Sequence, residues 1–186
     1  MVRWGLFILL CLVWGSSFIL MKLGLVVLNP FEVATVRMLS AGLVLLPFLL
    51  KALRDVPRSS IRFMFLSGLL GSFFPAILFC MAETSIDSAM AAILNATTPL
   101  FVLIVGMLFF NRAVQWKQIL GVGIGLFGVI LLMLPTLKLS SDSFTIYSLC
   151  ILLATIMYGF NVNIASMQVG RKIIRGDAVM ALSLDD

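Results

Sequence analysis

The sequence predicts an all-α integral membrane protein with six transmembrane helices, and three observations predict it. Of the 186 residues, 62% are hydrophobic and 11% charged, with a mean hydropathy of +1.18, far from the balance of a soluble domain. Apolar runs recur between short polar breaks, each close to the roughly 20 residues a helix needs to cross about 30 Å of hydrocarbon. The runs are continuous rather than alternating in polarity, which argues for helices over barrel strands.

The spans in order are Trp4 to Leu25, Val33 to Leu53, Phe63 to Ala82, Ser88 to Phe110, Ile119 to Leu137 and Phe144 to Ser166. Arg3 before the first has the outline of a secretory signal, but no small-residue cleavage site follows and further spans do, so it is read as a helix. The second starts near Pro30, a residue suited to a first helical turn. The third carries Ser67, Gly68, Gly71 and Ser72, small residues that let a neighbouring helix approach closely. The fourth holds Asn95, Thr97, Thr98 and Pro99 in its middle.

In the fifth, Gly123, Gly125 and Gly128 satisfy the G-x-G-x-x-G expression of a dinucleotide-binding turn. That fingerprint needs a preceding strand and a βαβ unit, which a membrane span does not supply. Gly121 and Gly125, as G-x-x-x-G, are read instead as a helix-packing face.

The net charge of +5 follows the spans. Lys51, Arg54, Arg58 and Arg62 lie between the second and third, Arg112 and Lys117 between the fourth and fifth, and Arg171, Lys172 and Arg175 after the sixth. The alternate connections, with Glu83 and Asp87, and with Lys138 and Asp142, are poorer in basic residues. Basic connections stay on the cytoplasmic side, so both termini are expected there, and the basic balance implies no nucleic-acid partner.

The chain has no histidine. Ser-His catalysis, His-x-x-x-His zinc sites and histidine-ligated haem are therefore excluded within it. Glu32, Glu83 and Asp87 all fall near span ends, so a di-aspartyl intramembrane protease is also unsupported. Cys11, Cys80 and Cys150 are odd in number, far apart and set in apolar sequence, which reads as three buried hydrophobes rather than a disulfide or metal framework. No cofactor, metal or catalytic residue is expected.

Polar residues inside a bilayer usually face a bundle interior or a water-filled cavity. At 1.5 Å per residue, Trp14 lies about 15 Å into the first span, so Trp14, Gly15, Ser16 and Ser17 sit near the midplane. Asn95, Thr97, Thr98 and Pro99 reach the same depth, about 16 Å from Ser88. The ring of Pro99 should displace and free the carbonyl of Asn95, and Pro75 that of Gly71. Interrupted helices at the midplane are where transporters build solute sites. Lys22, close to the outer edge, is read as snorkelling to the interface. Arg37 has three open readings: it snorkels, pairs with Glu32, or clamps an anion.

The sixth span matches the first at a constant offset of 144: Tyr158 over Trp14, Gly159 over Gly15, Asn161 over Ser17. The two spans run in opposite directions, as inverted repeats in transporters do.

Trp14-Gly15-Ser16-Ser17-Phe18, Pro30 with Arg37 and Ala41, "AETSIDSAMAAILNATTPLF" from Ala82 to Phe101, and "QILGVGIGLFGVILL" from Gln118 to Leu132 together resemble the drug/metabolite transporter superfamily in its EamA type. That resemblance implies a ten-helix protein of two five-helix repeats. Residues 1–137 would form the first repeat, and 138–186 the first helix of an inverted second one. Members often carry a glutamate where this chain has Asn111-Arg112. The apolar run Ala178 to Leu184 is too short to span and reads as the start of a further helix.

The expected function is alternating-access transport of a small organic solute across a bacterial cytoplasmic membrane, with lipid and solute as partners. Trp14, Ser16, Ser17, Arg37, Asn95, Thr97, Thr98, Pro99, Tyr158 and Asn161 are the candidate pathway residues. Two alternatives are a helical module that works as a homo-oligomer or structurally, and an inactive fragment.

Overall fold

The computed structural model describes residues 2–52, 58–133 and 142–182, all helical apart from short connections. The elements are α1 (Val2–Gly24), α2 (Pro30–Ala52), α3 (Arg58–Gly68), a π-helical turn (Leu69–Phe73), α4 (Phe74–Ala82), α5 (Ser88–Asn95), α6 (Thr98–Phe110), α7 (Trp116–Met133) and α8 (Asp142–Leu182). Among the described residues, five stretches are long and apolar enough to cross a membrane: Trp4–Gly24, Pro30–Leu49, Ser60–Ala82, Ser88–Phe110 and Ile146–Gln168. The chain is an integral membrane protein, in which α3, the π turn and α4 form one crossing and α5 with α6 another.

Several boundaries differ from expectation. α7 supplies a shorter apolar stretch, Trp116–Leu131, and the expected end of its span, 134–137, lies outside the described residues, as do Arg54 and Lys138. Arg58 and Arg62, expected in a connection, begin α3. α8 runs unbroken for 41 residues, so Arg171, Lys172 and Arg175 belong to the same helix as the sixth span. Positions 166–178 carry Gly170 and Gly176 but no proline, and glycine inside a helix weakens it without stopping it as proline would.

Local chemistry sets the helix starts. At α2 the Asn29 side chain accepts from the backbone N–H of Phe31 and of Glu32, both at 3.0 Å, while the Glu32 carboxylate accepts from the Asn29 N–H at 2.9 Å. This is a reciprocal capping box with proline at the first position. α6 ends on Asn111 in the left-handed region, φ 48°, and the Arg112 N–H reaches back to the Gly106 carbonyl at 3.0 Å. Asparagine tolerates that conformation where most residues resist it.

The core gathers α4, α5 and α8 with the inner faces of α1 and α2. Met21, Val33, Ala34, Phe79, Cys80, Ala82, Met90, Leu94, Ile151 and Ala154 are buried together. α8 packs closely on α6 at Gly159, where an added Cβ would lie 2.8 Å from the Phe101 carbonyl oxygen. By contrast α1 leaves Leu9, Leu10, Leu12 and Val13 exposed, the surface a helix shows to lipid.

Candidate functional site

A cavity of about 1450 Å³ lies between α1, α2, the π turn, the α5–α6 break, α7 and α8. Two helix interruptions border it. The first is the π turn. Pro75 has no N–H and its ring presses on the carbonyl four residues back. The chain accommodates this by widening one turn: the Phe74 N–H bonds to Leu69, five residues back. The second is the junction of α5 and α6, where Pro99 starts a new helix.

The expected pathway residues divide. Trp14, Ser17, Arg37, Asn95, Thr98, Pro99, Tyr158 and Asn161 line the cavity. Ser16 does not: it is exposed, and its hydroxyl donates to the Val13 carbonyl at 3.0 Å. Nor does Thr97, whose hydroxyl donates to Leu94 at 2.7 Å inside the core. Trp14 remains 71% exposed, so the cavity is open along α1. Cys11 is likewise exposed, a correction to its expected burial, whereas Cys80 is buried.

The Asn95 carbonyl, expected to be free because of Pro99, is occupied. The Thr98 hydroxyl donates to it at 2.7 Å and also lies 3.2 Å from the Asn95 side-chain oxygen. A residue three positions on, with a short hydroxyl, replaces the missing N–H locally. What faces the cavity is therefore the Asn95 side chain rather than a bare carbonyl.

The small residues of the third span serve α8. Ser67 donates to the Asn161 side chain. A Cβ at Gly71 would overlap the Asn161 amide, so this glycine is what lets α8 approach. Gly68 and Ser72 border the cavity. Gly121 and Gly125 make no close approach among the described residues, since a Cβ at either meets nothing within 4 Å; Gly121 borders the cavity instead. The two copies of the offset-144 match also differ. Gly159 is tightly packed, whereas an added Cβ at Gly15 meets nothing.

Arg37 neither snorkels nor pairs with Glu32, whose carboxylate is held in the α2 capping box. It lies one turn beyond buried Val33 and Ala34, on the same helix face. Its guanidinium donates to the Ser17 hydroxyl at 3.1 Å and contacts the Met21 sulfur. This places a cation on the cavity wall with a hydroxyl and a thioether as neighbours.

Lys22 reaches the C-terminal end of α4 rather than open interface. Its ammonium donates to the backbone carbonyls of Glu83 at 2.6 Å and Ile86 at 2.9 Å. Those carbonyls follow the end of α4, where a helix dipole favours a cation.

Glu83 is the residue that sequence reasoning missed. It is wholly buried, and neither carboxylate oxygen has a hydrogen-bond partner among the described residues. Burial pushes its pKa up to about 7, against the opposing pull of the Lys22 and Arg37 charges. The signal was its spacing: Glu83 follows buried Phe79 and Cys80 by four and three residues, which puts it on the inward face of α4.

A profile of the EamA-like transporter family matches residues 3–134. YedA of Escherichia coli K12, named an uncharacterized inner membrane transporter, is 34% identical over 134 residues, covering 69% of this chain and 42% of that protein. Protein PagO of Salmonella typhimurium is 28% identical over 140 residues, covering 74% and 46%. A short stretch of 34 residues, 18% of the chain, is 74% identical to D-3-phosphoglycerate dehydrogenase of Synechocystis and covers 6% of that protein. The matched part of the chain spans less than half the length of the transporter relatives. No solved structure matches.

Proposed function

The chain belongs to the EamA-like transporter family, and from that premise we propose that it carries a small organic solute through the cavity by alternating access. One observation supports this most directly. Helix interruptions in two different crossings, the π turn and the α5–α6 break, border the same cavity. Irregular backbone at membrane depth is tolerated against protein or a water-filled space, and it is where transporters hold solutes.

In this reading Asn95, Thr98 and Ser17 orient the polar part of the solute, while Trp14, Phe18 and Tyr158 contact its apolar part. Arg37 supplies the site's charge. The membrane is a bacterial inner membrane, with both termini cytoplasmic by the distribution of basic residues. The family match ends at residue 134, so the reading rests on α1 to α7, with Tyr158 and Asn161 of α8 as the wall that closes the cavity on one side.

Substituting Asn95→Ala tests it. Transport measured in cells should fall, with the amount of protein in the membrane unchanged. Transport equal to that of the unsubstituted chain, at equal membrane level, would overturn the assignment. Crosslinking in native membranes tests the second reading, a homo-oligomer, which the exposed apolar face of α1 favours. A chain that stays monomeric while transporting would exclude it.

A further inference from the structure

We propose that the solute is an organic monoanion with an apolar body, held at Arg37, and that Glu83 takes up a proton as the anion binds. This rests on the reading of the cavity as a solute site and extends it to a substrate class and a coupled ion.

Arg37 sets the charge of the solute. Its guanidinium borders the cavity, and its close partners among the described residues are uncharged groups, the Ser17 hydroxyl, the Met21 sulfur and the Cys80 thiol. A guanidinium presents a planar fork of donors that matches a carboxylate in two parallel hydrogen bonds, and a site shielded from water strengthens that pair. Phe18, Phe79, Trp14 and Tyr158 line the same cavity. They suit an apolar body attached to the anionic head.

Glu83 is the internal anion that a bound anion would disturb. It sits at the end of α4, wholly buried, with both oxygens unpartnered among the described residues. The groups that face it are Lys22 from α1, Arg37 from α2, Cys80 on α4 and Ser88 at the start of α5. On α8 the titratable residues packed against this core are Tyr147, Cys150 and Tyr158, the last of which faces Arg37. Asp87, four residues on, is exposed. The Lys22 ammonium is committed to two backbone carbonyls, so Arg37 is the cation whose allegiance can change.

The direction of coupling follows. With the cavity empty, the Arg37 charge helps to keep Glu83 ionised. An anion seated on Arg37 adds a negative charge that offsets the Arg37 field at Glu83, and this favours protonated Glu83. Burial already holds this carboxyl at about 7, so a modest further rise protonates it at neutral pH. Linkage is reciprocal: protonating Glu83 must tighten anion binding by the same factor. One O–H bond forms on Glu83, with its proton drawn from water, and one anion enters. Net charge in the site is unchanged, and both leave together when the anion is released. The transport cycle is thus electroneutral cotransport of an anion and a proton.

Benzoate and its neutral isostere benzamide are suitable probes for the purified full chain in detergent. Calorimetry in two buffers of different ionisation enthalpy reads the protons taken up per benzoate. We expect net proton uptake at pH 7 and benzoate affinity about tenfold weaker at pH 8 than at pH 6. Glu83→Gln should bind benzoate without proton uptake, keeping its pH 6 affinity at pH 8. Arg37→Gln should remove the preference for benzoate over benzamide. Benzoate binding without proton uptake by the unsubstituted chain, or benzamide binding as tightly as benzoate, overturns this inference and leaves the solute cavity standing. Failure of both probes to bind overturns the cavity reading along with it. Should Glu83→Gln fail to fold, proton uptake by the unsubstituted chain decides the matter alone.

Discussion

Lys22 on α1 is joined to Glu83 at the end of α4 by a 2.6 Å hydrogen bond from its ammonium to the Glu83 backbone carbonyl, across 61 positions of sequence. A second bond, 2.9 Å long, goes to Ile86. One cation thus fastens the first helix to the third crossing and stands beside the buried Glu83 carboxyl.

Removing that cation should loosen the end of the bundle where α1 meets the C-terminus of α4. Lys22→Met deletes two hydrogen bonds from a charged donor, each worth roughly 1.5–3 kcal/mol at most in net terms. The expected outcome is a lower midpoint of thermal unfolding in detergent, with Lys22→Arg retaining more of the stability than Lys22→Met. Equal midpoints for Met and the unsubstituted chain would show that the bonds contribute nothing.

Glu83 gives the protein a stability that depends on pH with a definite sign. Its carboxyl is raised from an ordinary value of 4.5 to about 7 in the folded chain. Between those values the folded state holds a proton that the unfolded state has lost, so this group's contribution favours folding below about 4.5 and declines as pH rises to about 7. Unfolding midpoints measured across that window should fall with rising pH, and Glu83→Gln should flatten the profile. Lys22→Met should push the Glu83 carboxyl higher still, because the Lys22 charge now opposes the effect of burial.

Gly15 and Gly159 occupy matching positions and should respond oppositely to alanine. At Gly159 the new methyl would meet the Phe101 backbone at 2.8 Å, and backbone cannot move aside as a side chain can. Gly159→Ala should therefore cost about 1–3 kcal/mol, as overpacking does. At Gly15 nothing lies within 4 Å, and alanine is the better helix former, so Gly15→Ala should leave the unfolding midpoint unchanged or slightly raised. Denaturant titration of the two variants in detergent checks both signs.

Thr98 holds the helix break together. Its hydroxyl donates at 2.7 Å to the Asn95 carbonyl that Pro99 deprives of a backbone donor. Thr98→Val keeps the shape and removes the donor, which should cost about 1–3 kcal/mol for an unsatisfied carbonyl. Thr98→Ser restores the donor and should recover most of the loss. If valine and serine behave alike in thermal unfolding, the hydroxyl has no such role.

Much of this protein was legible in the sequence because the bilayer is a demanding solvent. Continuous apolar runs with no place for unpaired backbone must be helices, and the runs at Trp4, Pro30, Ser88 and Ile146 fell where expected. Depth along a helix is a matter of counting at a fixed rise, so the residues bordering the cavity could be named in advance: Ser17, Asn95 and Thr98 all line it. What hydroxyls do at that depth was less legible. Ser16 and Thr97 spend theirs on their own helices, because a carbonyl one turn back is always nearer than a solute.

The sequence by itself determined the class of the protein and the position of its membrane crossings, since each follows from hydrophobicity and length along one segment. Only the tertiary structure decided which polar groups meet. Lys22 finds the carbonyls of Glu83 and Ile86, Arg37 turns to Ser17 and Met21, and Glu83 is sealed inside with no partner for its carboxylate among the described residues. The physical reason is that a charge in low dielectric takes its properties from neighbours on other helices. Those neighbours are set by the rotation and packing of helices 61 positions apart in sequence, which no local pattern encodes.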